Sequence, residues 1–344
     1  MAPEFARRMW SMVRDWFAKE ASHVTVAFLP DEGAAPVAPG QGYLRLWVSE
    51  GFLAQERSWG NEHFPVLHGG AALRFLGGEA TFTTFERPPD AWKVPGAQLD
   101  FPITPLLPFG GGTVEVEAAL YQATVGGPIS TAVDLLGGVA KLIGPPLATA
   151  ATIADKVSDG LAAVLKATGD QPVLGLHYAM VSDGGTGTPV RSGHVAVIDH
   201  RGDQLAGPPV IAGGRLRLAT PGGEVQPTGV DYLVVRVECR TERDDWRFPE
   251  LDELVRQAGA AIARGKKDVF ADLRGEILAT VYTSADLVPA DRLRVAVLLK
   301  DELDRMAELG VVAAGEFSLA GAAGRLPSRD DERLRGLTLA KLLA

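Results

Sequence analysis

Six histidines, a single cysteine and several paired carboxylates are the side chains of this sequence that could bind a metal or carry an acid–base step. The densest group is NEHFPVLH, residues 61–68, where Glu62, His63 and His68 offer the oxygen and imidazole donors that divalent ions take. No helical spacing fixes these donors, and Pro65 argues for a loop, so no metal is assigned. His194 and His200 bracket HVAVIDH. Six residues along a strand they share a face but stand about 20 Å apart, too far to share an ion. Asp199 and His200, followed by Asp203, have the composition of an acid–base pair, although HRGDQ also reads as a solvated turn. His177, between Leu176 and Tyr178, reads as a core or interface histidine. Cys239 in VVRVECR shares a strand face with Val235 and Val237, while Arg236, Glu238 and Arg240 share the other. A buried structural thiol is expected there.

Signature motifs of common enzymes are missing: no G-x-x-x-x-G-K-[ST], H-E-x-x-H, G-x-S-x-G or G-x-G-x-x-G occurs. Asp244-Asp245 and Glu250-Leu251-Asp252-Glu253 lie where a helix dipole favours acids, which accounts for them without a general-acid role. Gly110-Gly111-Gly112 and Gly184-Gly185 read as loops, since no helix N-terminus follows to complete a phosphate cradle. No cofactor is implied. With a formal net charge of −9 the chain repels a phosphate backbone on average, and no basic run exceeds Lys266-Lys267, so nucleic acid is not an expected partner.

The elements that must position these residues show two rhythms. HVTVAFL (23–29), YLRLWVSEGFL (43–53), EATFTTFE (79–86), TVEVEAALYQAT (113–124), PVLGLHYAMVS (172–182), HVAVIDH (194–200), PVIAGGRLRLAT (209–220) and VDYLVVRVECRT (230–241) read as strands. In 113–124, Val114, Val116, Ala118 and Leu120 alternate with Glu115, Glu117 and Ala119, which predicts one dry and one wet face. The three prolines of FPITPLLPFGGG (101–112) predict an ordered, nonregular crossing. Gly/Pro-rich joins and the absence of alternating strand and helix argue for an antiparallel β-sandwich or barrel.

Two helical stretches interrupt or precede the strands. Phe5, Met9, Val13, Trp16 and Phe17 form one side of an amphipathic helix, with Arg7, Arg8, Arg14 and Asp15 elsewhere; it is expected to dock on the chain's own core or on a partner, with a membrane surface as the alternative. Between two strands, Ile129, Val133, Leu136, Ala140 and Ile143 align on one helical face. Leu147, Ala151, Ala154, Val157, Leu161 and Leu165 do so after Pro145-Pro146. This predicts a helical hairpin, expected to cover one end of the sheets. Its alternative is a metastable insertion (Ile129, Val133, Leu136, Ile143, Leu147, Leu161, Leu165) that swings out into a bilayer or a partner.

Beyond residue 240 charge rises: residues 241–344 hold 19 acids and 16 bases, against 24 and 18 in the longer stretch before them. Three apolar stripes at helical spacing follow, Leu251 to Ile262, Val269 to Val281 and Val295 to Met306, with Gly265 and Gly310 as stops and a short fourth helix over 330–343. The expected fold is therefore α+β: an N-terminal helix (1–22), a β-rich sandwich-like domain (23–240, with the hairpin at 126–170) and a C-terminal helical domain (241–344). The lone cysteine, the missing secretory h-region and the absence of an 18-residue apolar run point to a cytoplasmic protein, and the Arg/Ala/Gly/Pro bias points to a bacterium. The expected function is a non-enzymatic binding or assembly component. Its contacts would be made by the charged helical tail and by aromatic loops anchored on Trp59, Phe64 and Trp92. The alternatives are the membrane-active insertion and a hydrolase or metal enzyme built on His63, His68 or His200.

Overall fold

In a computed structural model, residues 4–54, 63–88, 94–127, 129–130, 133–134, 172–200, 205–243, 246, 248–309 and 325–343 are described. The chain opens with helix α1 (Glu4–Glu20) and a short turn (Ala21–His23). The strands are β1 (Val24–Pro30), β2 (Tyr43–Phe52), β3 (His63–Phe75), β4 (Gly78–Glu86), β5 (Gln98–Pro102), β6 (Leu107–Pro108), β7 (Thr113–Thr124), β8 (Pro172–Val181), β9 (Gly193–Asp199), β10 (Pro209–Ala212), β11 (Arg215–Thr220), β12 (Gly223–Val225) and β13 (Asp231–Arg240). Helices α2 (Pro249–Ala263), α3 (Lys267–Thr283), α4 (Pro289–Leu309) and α5 (Leu339–Leu343) follow. The fold is α+β with antiparallel sheets.

Strands assemble in the order β1-β9-β13-β2-β5, with β6 also on β2, and in a second sheet as β4-β3-β7-β8. One apolar cluster draws on both sheets: Leu44, Leu46 and Val48 of β2 and Val235 and Val237 of β13 join Val114, Val116 and Leu120 of β7 and Leu174 and Leu176 of β8. The small sheet β10-β11-β12 lies on the other face of the first sheet, where Leu216 and Leu218 pack with Phe52, Ala196, Ile198, Tyr232 and Val234. Buried Glu50 fastens it there, accepting from the backbone N–H of Leu216 at 2.9 Å and from the Tyr232 hydroxyl at 2.6 Å.

Several expectations need correction. NEHFPVLH is not wholly a loop, because β3 begins at His63 and runs to Phe75. At Pro65 the strand pairs only with β7, since its ladder with β4 starts at Leu67, and a stretch with one open side is where a proline is tolerated. Gly69 further hid this strand in the sequence. A Cβ there would stand 2.8 Å from Cγ1 of Ile103, so the glycine permits a close crossing. That crossing, 101–112, is less irregular than its prolines imply: β5 and β6 both pair with β2. The stretch 209–220 is a hairpin, β10 and β11, rather than one strand. On β7 the face bearing Glu117 is not wet; Glu117, Ala119 and Tyr121 are fully buried, because α1 lies across that side of the sheet and sets Val13 and Trp16 against Gly175 of β8.

The C-terminal helices close around a cluster of their own, including Trp246, Leu251, Val255, Ile277, Val295, Leu299 and Leu303. Pro249 and Pro289 each stand at a helix start, where a missing N–H costs no intrahelical bond. Val269, expected on the buried stripe of α3, is 46% exposed, and Leu278 takes the inward position. The expected helix over 330–343 is only α5 plus one 3-10 turn (Glu332–Leu334), capped by the Asp331 carboxylate. The helices meet the first sheet at a buried node. Asp291 of α4 accepts from the Tyr43 hydroxyl at 2.7 Å, the Arg243 backbone N–H at 3.0 Å and Arg294 at 2.9 Å.

Candidate functional site

The histidines whose side chains are described do not converge. Positions 63 and 68, five apart on one strand, belong to opposite faces of the sheet, and Glu62 and the side chain of His63 lie outside the description. His194 lies 3.4 Å from Asp31, and His200 reaches the Thr25 hydroxyl at 3.4 Å. Asp199 is not the partner of His200; its carboxylate accepts from Nδ1 of His23 at 2.9 Å, while Nε2 of His23 lies 2.8 Å from Glu20. Asp203 lies outside the described residues. Cys239 is half-buried, and burial pushes its thiol up to about 12, so it stays protonated and unreactive at neutral pH. Among the described residues no group of three or more His, Cys, Asp or Glu is arranged to hold a metal ion.

Trp59 and Trp92 lie outside the described residues. Phe64 has its backbone in β3, paired with Ala123, and its side chain is outside the description. Of the insertion stripe, Ile129 is buried in the core cluster and Val133 packs against it; Leu136, Ile143, Leu147, Leu161 and Leu165 lie outside the described residues.

Two arrangements carry chemistry. The first is a row across the sheet under α1: Thr83 of β4 pairs with Gly70 of β3, Gly70 with Glu117 of β7, and Glu117 with His177 of β8. One step along, Phe85, His68, Ala119 and Gly175 form the next row on the same face. His68 is fully buried beside the Phe85 ring at 4.9 Å and the Tyr121 ring at 6.2 Å. Burial holds its pKa down at about 4, against a weaker opposing pull from the Thr84 backbone. Burial pushes Glu117 up to about 7, although His177 and Arg14 favour its charged form. Nδ1 of His177 lies 3.1 Å from Oε1 of Glu117, but the contact lacks the direction of a hydrogen bond. The ring nitrogens of His68 and the Thr83 hydroxyl have no directed partner either. Such buried polar groups without directed partners are uncommon in native folds.

The second is a cleft of about 210 Å³ between the start of α2 and the end of α3. Phe248, Leu251, Thr280, Val281, Ser284 and Ala285 line it, with the acidic residues Glu250 and Asp286. Its walls are fixed from behind by Arg243. The guanidinium lies 5.9 Å from the Tyr43 ring and 5.0 Å from the Phe248 ring, and it donates to the carbonyls of Leu106 at 2.9 Å and Asp286 at 3.0 Å. One arginine thereby positions both the aromatic wall and the turn after α3.

No family model matches this chain, and no curated protein or solved structure matches it.

Sequence reasoning located the cleft only as part of a charged helical tail. It missed Glu117 as a buried group, because alternation assigns a face without saying what covers it. The signal that marks this face is Gly175, whose missing side chain leaves room for Val13 and Trp16 of α1 to lie close.

Proposed function

We propose that this chain is a non-enzymatic protein-binding or assembly component, bacterial and cytoplasmic, and that the α2–α3 cleft seats one apolar side chain of its protein partner. The cleft carries this reading. It offers an apolar floor (Phe248, Leu251, Val281) beside two carboxylates, Glu250 and Asp286, on a preorganised frame. An aliphatic or aromatic side chain flanked by lysine or arginine is complementary in shape and sign, and pockets of this kind concentrate the binding energy of protein interfaces. In the same reading the two larger sheets stack as a β-sandwich, residues 126–170 form a helical-hairpin insertion, and the chain divides into an N-terminal helix (1–22), a β-rich domain (23–240) and a C-terminal helical domain (241–344). Trp59, Phe64 and Trp92 remain proposed secondary anchors. A membrane-active insertion would have to leave the fold downstream of Ile129, which is buried in the core.

The test is selection of a displayed peptide library on the full chain, with counter-selection against Thr280→Trp, which fills the cleft, and Glu250→Lys, which reverses the charge beside it. The reading expects enriched peptides with an apolar residue next to a basic one, bound by wild type and lost in both variants. Peptides that bind all three proteins equally, or an enriched set without that pattern, would refute it.

A further inference from the structure

The face beneath α1 buries an ionisable group, Glu117. Glu117 is fully buried, and its carboxyl meets Nδ1 of His177 at 3.1 Å in a contact poorly aligned for a hydrogen bond. Among the described residues, the charged or titratable groups around it are His177 on β8, Arg14 on α1, Glu115 on its own strand and, one step diagonally on β3, His68. Arg14 and His177 favour a carboxylate, and Glu115 disfavours one. The cover itself is an amphipathic helix that touches this face through Val13 and Trp16, seated where Gly175 has no side chain. Its pivot is pinned: the turn Ala21–His23 is tied to β9 by the 2.9 Å bond from His23 to Asp199, and His23 also meets Glu20 at the end of α1.

We propose that α1 is a pH-sensitive cover over the Thr83–Gly70–Glu117–His177 row, held down while Glu117 carries its proton and lifted when Glu117 ionises. A neutral carboxyl is buried at moderate cost, whereas a buried carboxylate whose donor is poorly aligned is costly to keep from water. Lifting α1 hydrates the carboxylate and frees the apolar side of the helix, including Trp16. The covered Glu117 titrates near pH 7 and an ordinary glutamate near 4.5, so closure holds the proton. Closure is therefore strongest below 4.5 and weakens as pH rises to about 7. His68 does not reverse this sign locally. It sits between Phe85 and Tyr121 on β3, and α1 lies mainly along β8.

Hydrogen–deuterium exchange of the α1 amides, corrected for intrinsic exchange and compared at about pH 5 and about pH 8, tests the proposal, since each pH unit across the transition changes the closing constant by up to roughly tenfold. Wild type is expected to lose at least about tenfold protection in α1 over that range. Glu117→Gln, neutral at every pH, is expected to stay protected throughout. Gly175→Leu supplies the uncovered reference, because even a Cβ there would stand 3.1 Å from Cε3 of Trp16 and 3.2 Å from Cγ1 of Val13. Equal α1 protection in wild type at both pH values overturns the proposal, whether or not Glu117→Gln folds. A pH-dependent loss that persists in a folded Glu117→Gln overturns it as well.

Discussion

Glu117 and His68 stand on one buried sheet face and respond to pH in opposite senses. Glu117 moves from an ordinary 4.5 to about 7 on folding, so its contribution is fully present below pH 4.5 and is lost as pH rises through about 7. His68 moves from an ordinary 6.5 down to about 4, so its contribution is present above 6.5 and is lost as pH falls through about 4. Each is worth roughly 3 kcal/mol at most. Over pH 4.5 to 6.5 the two nearly cancel in global stability, and single substitutions unmask them. Urea unfolding of Glu117→Gln should show stability rising between pH 4 and 6.5, and His68→Leu should show it falling between pH 4.5 and 7. Slopes identical to wild type in both variants would contradict these assignments. Little of this was legible in the sequence. His68 was read in a loop and Glu117 on a wet face, because neither the crossing that Gly69 permits nor the resting place of α1 is encoded in the local alternation of apolar residues.

Elements were more legible than their neighbours. The period-2 runs that became β1, β2, β4, β7, β8, β9 and β13 and the 3.6-period runs that became α2, α3 and α4 are strong because each buries a continuous apolar line. The misses follow from context. β3 carries a proline and two glycines that its position in the sheet tolerates, and Val269 yields its inward place to Leu278 in the packing of α3. Contacts between distant elements had no sequence signal at all. The clearest is the node where β2 meets α4, in which Tyr43 and Asp291, 248 residues apart, share a 2.7 Å hydrogen bond. Asp291→Ala strands the Tyr43 hydroxyl and the Arg243 N–H and takes from Arg294 its buried carboxylate, leaving it Glu242 and the Pro327 carbonyl, and should cost about 3 kcal/mol, at the low end for removal of one partner of a buried charge pair. Tyr43→Phe leaves the Asp291–Arg294 pair intact, and its loss of the bond to Asp291 and of the acceptor for the Val288 N–H should cost about 1–3 kcal/mol. Chemical denaturation of the two variants checks the ranking; equal losses would contradict the larger share assigned to Asp291.

At the scale of the whole molecule, a sheet core in which no donor set converges among the described residues is joined to a charged helical tail with an apolar cleft flanked by acids. The change of composition near residue 241 marks the passage from strands to helices. The cleft itself depends on Arg243 linking Tyr43, Phe248 and the Asp286 carbonyl, which no periodicity encodes. Among the described residues no helix is long and apolar enough to cross a membrane. The most direct measurement is site-specific photo-cross-linking in cells of the natural source, with a small aliphatic diazirine side chain placed either at Thr280, in the cleft, or at Val269, exposed elsewhere on the same helix. Binding at the cleft predicts a discrete protein adduct from position 280 that disappears with Glu250→Lys and does not form from position 269. Equal adducts from both positions, or none from position 280, would contradict it.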